Sequence, residues 1–176
     1  KNYFHETQLM ASVLSVDNEN DSDVVAMLAA SAALEISNIP FKGPIAGVRV
    51  GRVDGAFVCN PSMALQEKSE LNLFLVGRKI VPGTEGRPYD VNLVMLEGAL
   101  NEVAEDVVVD AINFGLEALR PVIDLQDKMR AETGKTKRAV VIPTVDEALV
   151  AKVTEAALAG LKEGYGMARK MERYAK

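Results

Sequence analysis

Four carboxylates, Asp17, Glu19, Asp21 and Asp23, stand at alternate positions in SVDNENDSDVVAML (residues 15–28), directly before an apolar run. Alternating acids are the donor pattern of a calcium loop, but that loop also needs Gly at its sixth position and Glu at its twelfth. Those positions hold Ser22 and Leu28. A helix N-terminus attracts negative charge, each nearby carboxylate contributing ~0.3–1 kcal/mol, and this is the default reading of the cluster. The same helix end can bind phosphate. Four carboxylates oppose that use, since one pair of unit charges at ~5 Å repels by ~3 kcal/mol at an effective dielectric of 20.

Other reactive side chains are sparse. His5 is the sole histidine and Cys59 the sole cysteine, so neither has a neighbour in sequence with which to build a structural metal site. Cys59 falls at a strand end and is expected to pack rather than react. No Gly-x-Ser-x-Gly elbow, Walker loop or dinucleotide-binding glycine loop occurs. Arg49 and Arg52 in GVRVGRVDG offer phosphate contacts, but charges on an edge strand are the simpler reading. Lys135, Lys137 and Arg138 in GKTKR form a weak basic patch of the same standing. Residue chemistry alone therefore gives an α+β segment without a convincing active site.

The elements that must position these residues follow from periodicity and turn chemistry. QLMASVLSV (8–16) reads as a strand apolar on both faces. Residues 22–37 read as an Ala-rich helix capped by Asp21 or Ser22, apolar nearly all round and so expected to lie between layers. Asp54-Gly55 between two apolar runs predicts a hairpin. LNLFLVG (71–77) and VNLVMLEG (91–98) predict paired strands joined by a polar loop over 78–90, and NPSMALQEKSE predicts one helical turn. A helix from Val103 meets Pro121, where a kink or boundary is expected, and continues to Gly134. Residues 134–144 read as a linker, and a second helical zone follows with a break at 164–166.

The chain of 176 residues carries a net charge of −5, which excludes a wholly basic nucleic-acid footprint. One cysteine permits no intrachain disulfide, which suits a reducing, cytoplasmic setting. No apolar run reaches the ~18 residues of a membrane span, and no signal peptide is visible. The chain opens on KNYFHETQLMASV without an initiator Met and closes inside a helical pattern, so the expectation is a fragment. Such a half-domain would leave the apolar faces of 8–16 to another chain or segment.

The stretch DNENDSDVVAMLAASAALEISNIPFKGPIAGVRVGRVDGAFVCNPS resembles the first of the two RNase PH-type core domains of the bacterial polynucleotide phosphorylase family. ELNLFLVG and AINFGLEALRPVIDLQ fit the same domain, and the residues after Thr144 resemble the start of the all-helical domain that joins the two cores. The resemblance implies an α+β core (mixed sheet packed with helices) over 1–133, a linker over 134–144 and an all-α segment over 145–176. The 78–90 loop is longer than the family's usual connection. The family implies a homotrimeric ring that degrades RNA from the 3′ end, with inorganic phosphate and Mg²⁺, releasing nucleoside diphosphates and running in reverse as a polymerase. It also implies RNA as partner and a place in an RNA-degradation complex, with no membrane.

In the family's catalytic second core the loop before this helix is rich in Ser and Gly and binds phosphate. Here that loop is NENDSD. The catalytic copy also has two aspartates and a lysine, and its pattern laid on QEKSELNLFLVG falls on Gln66, Asn72 and Phe74. Gln and Asn lack the negative charge Mg²⁺ favours, and Phe carries none. The resemblance thus implies the non-catalytic copy, with no catalytic, cofactor-binding or metal residue of its own and a structural, channel-shaping role. Rival readings are RNase PH or an exosome-type ring subunit, against which the helical zone argues, and a non-enzymatic scaffold or binding module.

Overall fold

The computed structural model describes residues 3–141 and 144–175. It divides into a unit of residues 4–139 and a second unit carrying the helices beyond Val140. In the first, α1 (Ser22–Ile36) precedes β1 (Ile45–Val53), β2 (Ala56–Cys59), the single turn α2 (Met63–Gln66), β3 (Leu71–Ile80), β4 (Asp90–Leu100), α3 (Glu105–Ala118) and α4 (Arg120–Thr133). The four strands form one antiparallel sheet in the order β2-β1-β3-β4. The fold is the expected α+β, but its described sheet is antiparallel throughout rather than mixed, since each described strand pairs in opposite direction to its neighbours.

The β1–β2 turn forms where Asp54 (φ 51°) and Gly55 (φ 78°) enter the left-handed region, the geometry for which Asp-Gly is suited. Alternation then sorts the sheet's faces. Val48, Val50, Leu71, Leu73 and Leu75 are buried with Leu119 and Ile123, and partly buried residues of α3 pack on them. Helix α3 comes close because position 115 is Gly, where a Cβ would collide with Leu75. Gly47, Arg49 and Gly51 alternate onto the opposite side of β1, and a Cβ at Gly47 would touch Met27 of α1 and Phe74. Helix α3 ends at Ala118 and α4 starts at Arg120, so Pro121 marks a boundary whose missing N–H costs nothing in a first turn.

Four expectations need correction. Residues 8–16 form no strand and lie exposed: their two-faced apolar pattern is right for a buried strand, but no described strand pairs with them. Helix α1 is not enclosed on all sides; it buries Val24, Ser31 and Glu35, while Val25, Ala29 and Ala33 form an exposed stripe. The polar loop is shorter than 78–90, because β3 runs to Ile80 and β4 begins at Asp90. Its end is held by Tyr89, buried between the Lys79 ammonium (4.7 Å from the ring centroid) and the Arg120 guanidinium (5.3 Å), with its hydroxyl donating to Asp124 (2.7 Å). Burial and the Asp124 carboxylate push the Tyr89 phenol up to about 12. Finally, Cys59 is exposed, since β2 is the sheet edge; desolvation of its thiol raises its pKa and so holds it in the less reactive form.

The second unit contains α5 (Glu147–Gly166) and α6 (Lys170–Ala175). Asp146 caps α5 by accepting from the Leu149 amide. The helix runs through Gly164 and Tyr165 and breaks only after Gly166. The linker reading over 134–144 extends onto residues 142 and 143, outside the described residues. Among the described residues no helix is long and apolar enough to cross a membrane.

Candidate functional site

The acidic run before α1 separates into three kinds of carboxylate. Asp17 accepts from the amides of Glu19 (2.8 Å) and Asn20 (2.9 Å) and from the Asn20 side chain (2.6 Å), a local turn. These bonds, the Glu19 amide foremost, hold the Asp17 carboxyl down to about 2. Glu19 contributes its backbone carbonyl, which accepts from the Met63 amide (2.8 Å) and ties the run to α2. Asp21 and Asp23 turn instead toward β1, where Arg49 waits.

Arg49 is the hub. Its guanidinium donates to Asp23 and to Asn72 Oδ1 (2.8 Å), and its Nε lies 3.4 Å from Asp21 Oδ2 in an ion-pair contact. Asp21 Oδ2 also accepts from Gln66 Nε2 (2.7 Å), and Gln66 Oε1 accepts from Asn72 Nδ2 (3.2 Å). Arg49, Asp21, Gln66 and Asn72 thus close a ring of polar contacts, with Asp23 on the outside and the Phe74 ring 5.6 Å from the guanidinium carbon. The backbone of Arg49 is fixed too: its amide donates to Asn60 Oδ1 (2.9 Å) and its carbonyl accepts from the Asn60 amide (2.7 Å). Strand pairing explains the convergence, because Arg49 lies opposite Phe74 and Gly51 opposite Asn72 across β1 and β3.

The structure therefore brings together Asp21, Asp23, Arg49, Gln66, Asn72 and Phe74, and leaves His5 and Cys59 elsewhere. Reading Arg49 and Arg52 as a solvated edge is overturned, since β1 is an interior strand. Arg49 keeps 17% of its side chain exposed, and Arg52 pairs with Glu70 beside the Ser69 hydroxyl that accepts from the Arg52 amide. Of the basic patch in GKTKR, Lys137 is withdrawn, because it donates both of its described bonds to helix-end carbonyls, while Lys135 and Arg138 stay exposed. Sequence reasoning singled out Gln66, Asn72 and Phe74 but missed the residue that joins them. The available signal was Arg49's alternation with the buried Val48 and Val50; the partner strand was the missing piece.

A hollow of about 350 Å³ opens beside the hub, lined by Asp23, Arg49, Asn72, Phe74 and Glu97 among others. An oxyanion entering it would meet the Asp23 and Glu97 carboxylates, and the one guanidinium already donates to Asp23 and Asn72, while its buried Nε makes no hydrogen bond and only an ion-pair contact with Asp21. Three of the amides that a phosphate loop would offer are taken as well: Glu19 and Asn20 donate to Asp17, and Val24 donates to Asp23 (2.7 Å). Mg²⁺ fits no better. The two carboxylates and the amide oxygen that would hold it are already turned onto a tethered cation, and the described residues contain no group of three or more metal-capable His, Cys, Asp or Glu.

Comparison with known proteins gives the family that the chain resembles. Residues 43–118 match the domain described as 3′ exoribonuclease family, domain 2, the C-terminal part of the RNase PH fold. The polyribonucleotide nucleotidyltransferase of Syntrophus aciditrophicus is 65% identical over 175 residues, covering 99% of this chain and 25% of that protein. Those of Geobacter sulfurreducens (43% identical, 99% of this chain, 23% of that protein) and Myxococcus xanthus (46%, 98% and 22%) match along the same length. The chain spans about a quarter of the length of the curated relatives it matches. Along nearly all of its length the chain is similar to part of the polyribonucleotide nucleotidyltransferases, and its residues 43–118 carry the second domain of the 3′ exoribonuclease family.

Proposed function

We propose that this chain is the non-catalytic RNase PH-type core segment of a phosphate-dependent 3′→5′ exoribonuclease. The whole enzyme removes nucleotides from RNA 3′ ends as nucleoside diphosphates, in mRNA turnover, and runs in reverse as a polymerase. It works as a cytoplasmic homotrimer, alone or within an RNA-degradation complex, using inorganic phosphate and Mg²⁺ bound outside this segment. The segment's own work is structural, helping to build the ring and shape the RNA channel.

The observation that carries this reading is the closed Arg49 hub. Gln66, Asn72 and Phe74, the positions implied for catalysis, are turned onto one another, Arg49 and Asp21, and the three bring neither a carboxylate nor a cation of their own to a phosphorolytic site. The test is an assay of the 176-residue chain for phosphate-dependent release of ADP from poly(A). No release is expected. Release that disappears in Asn72→Ala would overturn the reading.

A further inference from the structure

Helix α1 has no basic residue in its last turn, yet its terminal carbonyls are not left to water. Lys137, some hundred residues away, donates through Nζ to the carbonyls of Leu34 (2.8 Å) and Glu35 (2.9 Å). The Lys135 amide donates to the Ile36 carbonyl and the Arg138 amide to the Asn38 carbonyl, both at 2.8 Å. Residues 135–138 therefore run along 36–38, joined at two backbone points with a side-chain donor between them. Beneath them, Glu35 is fully buried and accepts from Arg130 in the last turn of α4 (2.8 Å), while the Gly134 amide donates back to the Arg130 carbonyl (2.8 Å). The second carboxylate oxygen of Glu35 is buried with no hydrogen-bond partner.

We propose that residues 134–138 are a latch, pinned by Lys137, that holds the chain's exit from the first unit against the C-terminus of α1 and opens as one piece. The argument is one of proportion. Two backbone hydrogen bonds at a surface contribute about 1 kcal/mol each and would fray separately. Lys137 couples them, because it sits between the two donors of the strap and reaches back past Ile36 to the Leu34 and Glu35 carbonyls, which attract a donor at the negative end of the helix. The pin does not depend on the charge alone. Burial draws the Lys137 ammonium below its ordinary pKa, with Glu35 opposing that shift, but an amine still keeps two N–H groups for the two carbonyls. The buried Glu35–Arg130 pair fixes where α1 and α4 end and so where the strap must cross. Opening exposes the Leu34 and Glu35 carbonyls and frees the segment leading to the second unit.

Amide hydrogen exchange on the whole chain tests this. In the wild type, Lys135 and Arg138 are expected to exchange through one shared opening, with equal protection well below that of β1 and β3. In Lys137→Met, which keeps the stem and removes the donor, both are expected to lose about tenfold protection while β1 and β3 are unchanged. Unequal protection of the two amides in the wild type would overturn the latch, whether or not the variant folds. So would unchanged protection in a folded Lys137→Met.

Discussion

The two ends of α1 are solved differently. At its N-terminus the acids come from the adjoining sequence, and one guanidinium from β1 gathers them together with Gln66 of α2 and Asn72 of β3. That end stays partly open, with Asp23 45% exposed. At its C-terminus a single fully buried carboxylate meets an arginine from α4, and a distant lysine serves the carbonyls. The first end uses charge to close a site. The second uses charge to fasten a chain crossing. The lesson is that a cluster of like charge in sequence says little until its counter-ion is located in the fold.

The comparison breaks most visibly if the hub is removed. Arg49→Met leaves Asp21 and Asp23 facing each other, and Asn72 Oδ1 without its donor. A loss of about 2–3 kcal/mol is expected in urea unfolding, below the range for a fully buried pair because the carboxylates reach solvent. Adding Asp23→Asn to that variant should restore part of the loss. At the other end, Glu35→Gln keeps the shape and one acceptor but removes the charge facing Arg130, so a smaller loss of about 1–2 kcal/mol is expected. If Glu35→Gln proved the costlier, the account of which end carries more charge coupling would be wrong.

A smaller effect separates the local turn from the hub. The Asp17 carboxyl is held at about 2, below its ordinary 3.8, so the folded state gives up that proton first as pH rises. The stability it contributes is present above pH 3.8 and is lost as pH falls from there toward 2. NMR titration should show the Glu19 and Asn20 amides moving together in that window. Movement near pH 4 would place the turn outside the folded structure.

Much of this was legible from residue order. Asp54-Gly55, the alternating leucines of β3, the boundary at Pro121 and the start of α1 are local signals, and each local signal produced its element. The carboxylate Glu35 falls on the buried stripe with Val24 and Ser31, which itself signals a buried partner. What could not be read was pairing at a distance. Residues 8–16 carry the pattern of a strand without a described strand to accept them, whereas 71–77 carry a similar pattern and have β1 and β4. Arg49 looked like an edge charge because β2 follows β1 in sequence, while β3 completes its other side. Lys137 looked like a surface patch because its acceptors are about a hundred residues away.

The most direct test follows the backbone amides of residues 19–24 and the side-chain amides of Gln66 and Asn72 by NMR while inorganic phosphate is added, with and without Mg²⁺. A hub closed on Arg49 predicts no saturable shift in either titration. A saturable shift at those amides that vanishes in Arg49→Met would show the site open to an oxyanion and contradict the account.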